Sequence, residues 1–385
     1  MNNNITNYRA YAARGFSLVE LMIALLIGLI ISIGVVQIFS ASRATYQLDE
    51  GLARAQENGR FALEFLTQDI RHAGYLGCNR DTTRIPFNYL SSVLQQRLPI
   101  TGVSGFEYNA TGINATYVTP PAPANVSTGW APAATPIFPA SALPGTDIIA
   151  VQRMVSNTWA LVPPYVTPDN VFLDPLFAPN VKNSDILLVA DCRQAAVFKV
   201  TTIIPATGVI SHTVGPTTNR CARWTSGLDA ANAANADCTN VFENPVPSTA
   251  IGSLETVVFY VANDNNNSGR PTLFKNVIDA SGGVVAQALV EGVENFQVLY
   301  GVDNGATADG IADQYVPADL VTNFSQVVSV QIGILVYGVN ATGSATDSAI
   351  DTQVQNVAGT NIVPPADRRK RHAFNTTIQL RNRGF

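Results

Sequence analysis

Histidine is nearly missing from this chain. His72, His212 and His372 are the only three among 385 residues and lie far apart, and neither H-E-x-x-H nor G-x-S-x-G occurs. No glycine loop suited to cradling phosphate follows a strand and opens a helix, so catalysis has no local signature and an enzyme is not expected. Cysteine is scarce as well. Cys78, Cys192, Cys221 and Cys238 fit neither C-x-x-C nor an interleaved Cys/His spacing, which argues against structural zinc. Disulfides are the better expectation for an exported chain. Four cysteines allow three pairings; the short polar loop closed by Cys221 and Cys238 favours that bridge, with Cys78 and Cys192 left to each other. Charge is sparse, 13% of residues with a net −5, so nothing draws the whole chain to nucleic acid or anionic lipid. The 46% of apolar residues exclude disorder throughout, and 22 prolines with 28 glycines indicate a loop-rich, β-leaning body.

Proline is absent between Phe16 and Tyr75, where a helix would be broken by it. From Phe16 to Ala41 the strongly polar residues are Glu20 and Gln37, and this run exceeds the roughly 20 residues needed to cross a bilayer. Arg9 and Arg14 precede it without an acid, while Arg43, Asp49 and Glu50 follow, so the amino end belongs in the cytoplasm and the body outside. The run is too long for the apolar core of a cleaved secretory signal, which leaves a plain signal anchor as the simplest alternative. An anchor does not account for Glu20. An acid within a spanning helix costs about 2.5–3.5 kcal/mol at mid-bilayer and needs a cationic partner. Cutting between Gly15 and Phe16 would create one, since the new α-amino group of Phe16 lies just over one helical turn before Glu20. Beyond the membrane, Leu48, Leu52, Ala55, Gly59, Ala62, Leu66, Ile70 and Ala73 recur at three- and four-residue spacing, the stripe of a helix that lids a sheet. One helix over 16–77 is predicted, spanning the membrane over 16–41.

The stretch Gly15-Phe16-Ser17-Leu18-Val19-Glu20-Leu21-Met22, followed by the apolar run, resembles the type III signal of type IV prepilins and type II secretion pseudopilins. The resemblance implies a cytoplasmic leader over 1–15, cutting after Gly15 by a membrane prepilin peptidase, methylation of the Phe16 amine, and use of Glu20 in subunit recruitment. In one departure, the mid-segment proline of many major pilins is absent, with Gln37 in that neighbourhood.

After Cys78, a Pro-, Thr- and Ala-rich stretch near 101–146 reads as a surface excursion. Strands are expected over 147–155, 185–190, 196–204, 255–262, 272–277, 284–289, 293–300, 327–339 and 374–380, without long helical intervals, which predicts an antiparallel sheet. The fold class is therefore α+β, a long amino-terminal helix packed on a mainly antiparallel β domain over 78–385. Ala73-Gly74-Tyr75 with Cys78, Asp191-Cys192 before Ala195-Ala196-Val197-Phe198, Arg270-Pro271-Thr272-Leu273, Val290-Glu291-Gly292-Val293-Glu294-Asn295-Phe296, Tyr300-Gly301-Val302-Asp303 and Leu380-Arg381-Asn382 are similar to PilW-type minor pilins. That resemblance implies priming or capping of a type IV pilus with other minor pilins, the major pilin and the inner-membrane assembly platform, and the holding of a tip adhesin. A minor pseudopilin of type II secretion is the near rival. A signal-anchored extracytoplasmic binding domain, uncut and indifferent to Glu20→Ala, is the distant one.

Two clusters remain. Asp303, Asp309 and Asp313 form an acidic loop that offers oxygens to calcium, although Gly305 and Thr307 break the D-x-D-x-D-G spacing and favour a solvated turn; no other cofactor is expected. Arg368, Arg369, Lys370, Arg371, Arg381 and Arg383 against Asp367 suit phosphate, including DNA, or acidic partner surfaces, with a solvated strand start as the plainer reading.

Overall fold

The computed structural model describes residues 17–77, 87–88, 90, 101–109, 111–118, 129–132, 139, 141–155, 159–167, 170–190, 195–213, 215, 218–219, 249–266, 269–278, 284–305, 307, 309–338, 353–367 and 369–382. One helix, α1 (Leu18–Arg71), runs 54 residues, roughly 80 Å at 1.5 Å per residue. It stops at Arg71, short of the expected boundary at 77. Gly74 and Gly77, at φ 70° and 75°, turn the chain instead, and the Gly74 N–H donates to the Gln152 carbonyl at 2.8 Å.

Strands follow in the order β1 (Phe87–Asn88), β2 (Val103–Tyr108), β3 (Thr116–Val118), β4 (Trp130–Ala131), β5 (Ile148–Met154), β6 (Trp159–Thr167) and β7 (Asn170–Leu173). Next come β8 (Ile186–Ala190), β9 (Ala195–Lys199), β10 (Thr202–Ile204), β11 (Val209–Ser211), β12 (Ala250–Asp264), β13 (Arg270–Ile278) and β14 (Val284–Glu291). The last are β15 (Val293–Val302), β16 (Gln314–Val316), β17 (Val327–Tyr337), β18 (Gln355–Val357), β19 (Thr360–Val363) and β20 (Arg371–Gln379).

A 13-stranded sheet is organised around β12, whose first residues pair with β8 and β6 and whose later ones pair with β5 and β13. A four-stranded sheet runs β16-β15-β17-β20, and a small one runs β18-β19-β3. Pairing is antiparallel apart from β1 with β9 and β19 with β3. Side-chain alternation sorts β17 between two cores: Val330, Ile332, Ile334 and Val336 join α1, β5, β12 and β15, while Leu335 faces Val357 and Ile362 of the small sheet. A third cluster fills the β6–β11 lobe.

The expected α+β architecture of long helix and antiparallel sheets is present, and the nine expected strands are found. Two details differ. The run expected over 196–204 divides into β9 and β10. The surface excursion expected over 101–146 contains β2, β3 and β4, and buries Phe106, Tyr108, Tyr117 and Trp130. Composition misled there because a few aromatics at alternating positions outweigh many small polar neighbours once they reach a core.

Candidate assembly surface

The helix begins with a side-chain cap. Ser17 is extended, at φ −74° and ψ 148°, and its Oγ accepts the Glu20 N–H at 3.2 Å. This is one half of a capping box, in which Ser at the cap and Glu three residues on satisfy donors that helix geometry leaves unpaired. It also puts the carboxylate in the first turn, where the helix dipole favours negative charge. Glu20 is exposed, and the most apolar 18-residue window of α1 has none of its residues buried. Gly15 and Phe16, the expected cleavage pair, lie outside the described residues, as do all four cysteines.

The second half of α1 is seated on the β domain. Gly51, Ala55, Gly59, Ala62, Leu66, Ile70 and Ala73 are buried along one face. The stripe departs from expectation at its upper end, where Leu52 is exposed and Gly51 faces inward. Small residues are required there. A Cβ at Gly59 would run into the Phe374 ring of β20, and one at Gly338 would strike the Gly51 backbone. Leu66 and Ile70, fully buried lower down, contribute about 1.5–3 kcal/mol each.

Charge fixes the helix's lower end. Asp69, buried on the same side, accepts from Arg153 of β5 at 2.6 Å and from Lys275 of β13 at 2.7 Å, and Arg153 also bonds Glu255 of β12 at 3.1 Å. These groups line a cleft of about 650 Å³ that Phe65, Gln287 and Leu289 complete. Higher up, the Asn58 amide donates to the Glu291 carbonyl at 2.9 Å, tying α1 to the end of β14.

A second polar centre lies inside the body, in the stretch expected to be loop. Glu107 and Asp147 are each 2% exposed and face one another. Asp147 accepts the N–H groups of Tyr108 and Val298 at 3.1 and 2.8 Å, and Glu107 accepts the Thr111 hydroxyl at 2.9 Å. Burial pushes the Glu107 carboxyl up to about 7; burial and the facing Glu107 drive Asp147 well above the usual carboxylate range. The arrangement is that of two carboxyls sharing a proton.

The acidic loop is organised by backbone donors. Asp313 accepts the N–H groups of Asn304 and Gly305 at 2.9 and 2.7 Å, Asp303 that of Gly310 at 2.8 Å, and Asp309 that of Ile311 at 2.9 Å. Asp303 Oδ1 is buried without a hydrogen-bond partner among the described residues. Among the described residues no three His, Cys, Asp or Glu gather as metal ligands. The basic tail is likewise partly internal: Arg371, with a fully buried side chain, binds Glu294 and Asp367 at 2.6 Å each, and Arg369 lies 4.6 Å over the Tyr337 ring. Arg368 and Arg383 lie outside the described residues.

Residues 11–36 match the prokaryotic N-terminal methylation motif, and residues 258–382 match the family described as Type IV Pilus-assembly protein W, PilW. Over about a third of its length, this chain is similar to the PilW family. The matched region runs from within β12 to the residues just after β20, and contains β14, β17 and β20, against which α1 packs. That family is described as one of pilus-assembly proteins. Among solved structures, a Type IV-like pilin from Thermus thermophilus aligns over 55% of this chain and 94% of its own at 13% identity, with a TM-score of 0.22. No curated protein matches the chain.

Of the functional residues, Ser17 escaped the sequence reading although Ser-x-x-Glu before an apolar run is its signal. The Asp69 cluster and the Glu107–Asp147 pair had no local signal, because their partners are distant in sequence.

Proposed function

We propose that this chain is a membrane-inserted prepilin, cut after Gly15, that primes assembly of or caps a type IV pilus through α1. The observation that carries the reading is the division of one helix into two halves with opposite surroundings. The lower half is fixed to the body by Leu66, Ile70 and the Asp69 ion cluster, while the upper half is apolar and unburied and bears a single acid at its start. Such a surface is satisfied by lipid before assembly and by the helices of neighbouring subunits afterwards.

Removal of the leader places the Phe16 amine directly before the Ser17 cap. Glu20 then pairs with the amine of a subunit already in the filament, and the cost of leaving either charge unpaired in an apolar layer sets the axial register. The protein begins in the bacterial inner membrane as a single-pass chain, amino end cytoplasmic and body periplasmic, and ends in the pilus. Its partners are the prepilin peptidase, the major pilin, other minor pilins, the assembly platform and a tip adhesin.

Mass spectrometry of the amino-terminal peptide of membrane-extracted protein tests this directly. A methylated Phe16 is expected; Met1, or a start near Ser42, overturns it. Glu20→Ala is expected to lower incorporation into pili by at least tenfold with membrane insertion unchanged.

A further inference from the structure

Among the described residues β14 is a sheet edge whose end meets α1 and whose start is uncovered. Among the described residues it pairs with β13 alone, and Val284 through Ala288 are exposed, Val284 and Val285 at 60% and 61%. Seven consecutive residues, Val284-Val285-Ala286-Gln287-Ala288-Leu289-Val290, carry neither charge nor proline, and the bulge in this pairing lies opposite the covered end, at Leu273/Phe274. Free edges are usually blunted by lysine, proline, bulges or brevity, because open N–H and C=O groups recruit another strand. The other edges here are blunted. β10 and β16 have three residues each, and β20 lies against α1.

We infer that the open edge of β14 receives an extended strand from a different pilus subunit, which extends the sheet beside α1. The inference rests on the assembly role proposed above. Two features identify the occupant. Gln287 and Leu289 share a cleft with Phe65, and Leu289 shares a second groove with Phe61 and Phe65 of α1, rings that are 52% and 41% exposed. By alternation Val285 lies on that same face beside the two rings, while the cleft beyond them carries Asp69, Arg153, Glu255 and Lys275, so the incoming strand sets apolar side chains against Val285 and the rings. The edge is also continuous with the packing surface of α1, to which Asn58 ties the end of β14 at 2.9 Å. A neighbour whose helix runs alongside α1 therefore brings its body to this edge. Backbone pairing supplies affinity and the alternate side chains supply selectivity.

The test places the photo-crosslinker benzoylphenylalanine at position 285 of the full-length chain in piliated cells, with the crosslinked peptide identified by mass spectrometry. A crosslink to a strand of another pilus subunit, lost at least tenfold on Ala286→Lys, supports the inference. A crosslink to a second copy of this chain, or to lipid alone, overturns it, as does no crosslink at all. Val285→Lys, at an exposed position that keeps the fold, is expected to cut surface piliation about tenfold. Unchanged piliation in Val285→Lys beside lost incorporation in Glu20→Ala sinks this inference and leaves the assembly role standing; unchanged incorporation in Glu20→Ala sinks the assembly role itself.

Discussion

Replacing Glu107 by Gln removes an ionisable group from the interior and leaves the volume nearly unchanged. In the wild type the folded chain holds the Glu107 proton more tightly than the unfolded chain, because burial raises its pKa from 4.5 to about 7. An acid shifted upward contributes stability below its unfolded pKa, and that contribution is lost as pH rises through its folded pKa. The loss should amount to about 3 kcal/mol between pH 4.5 and 7, at 1.36 kcal/mol per pKa unit. In Glu107→Gln the amide donates to Asp147 at every pH, standing in for the shared proton. The variant should therefore match the wild type near pH 5 and exceed it by about 3 kcal/mol at pH 8. Urea unfolding of the full-length protein in detergent, repeated from pH 5 to 8, reads this as a widening gap between midpoints. A gap that does not change with pH would refute the shared proton, whatever its size.

Asp69→Ala leaves Lys275 without its carboxylate and Arg153 with Glu255 alone, and should cost about 2–3 kcal/mol, less than a fully buried break because both cations retain some solvent; the same urea titration measures it. Gly59→Ala sets a methyl against the Phe374 ring and should destabilise by about 1–3 kcal/mol. In a Phe374→Ala background that obstruction is gone, and Gly59→Ala should instead stabilise by about 1 kcal/mol through helix propensity; a cycle with the same sign in both backgrounds contradicts the close approach. Glu20→Ala should insert in the membrane normally yet fall at least tenfold in sheared pili by immunoblot.

The long helix was legible because its signals are local. An uninterrupted apolar run, a missing proline and spacing of three and four residues all act within a few turns. The stripe from Ala55 to Ala73 falls at the expected positions and departs at Leu52, where Gly51 faces the sheet because its backbone closely approaches Gly338; the Leu48 side chain lies outside the described residues. The central strands β12, β15 and β17 were legible as apolar runs, since both faces are covered. What was missed lay mostly in strands of two to six residues such as β2, β3 and β4, with the nine-residue β6 besides, whose side chains become buried only against neighbours far along the chain. The basic tail was read as one patch. Arg371 leaves it because Glu294 and Asp367 converge on its guanidinium in the folded state.

Sequence alone determined that this chain carries a long apolar run with one acid near its start, because hydrophobicity and the acid's place in it are properties of contiguous residues. Tertiary structure decided which half of that helix is spoken for, which carboxylates meet in the interior, and which strand is left with an open edge. Those outcomes depend on surfaces brought together across a hundred residues or more, as Asp69 with Lys275 and Asn58 with Glu291 are, and no local pattern encodes such meetings.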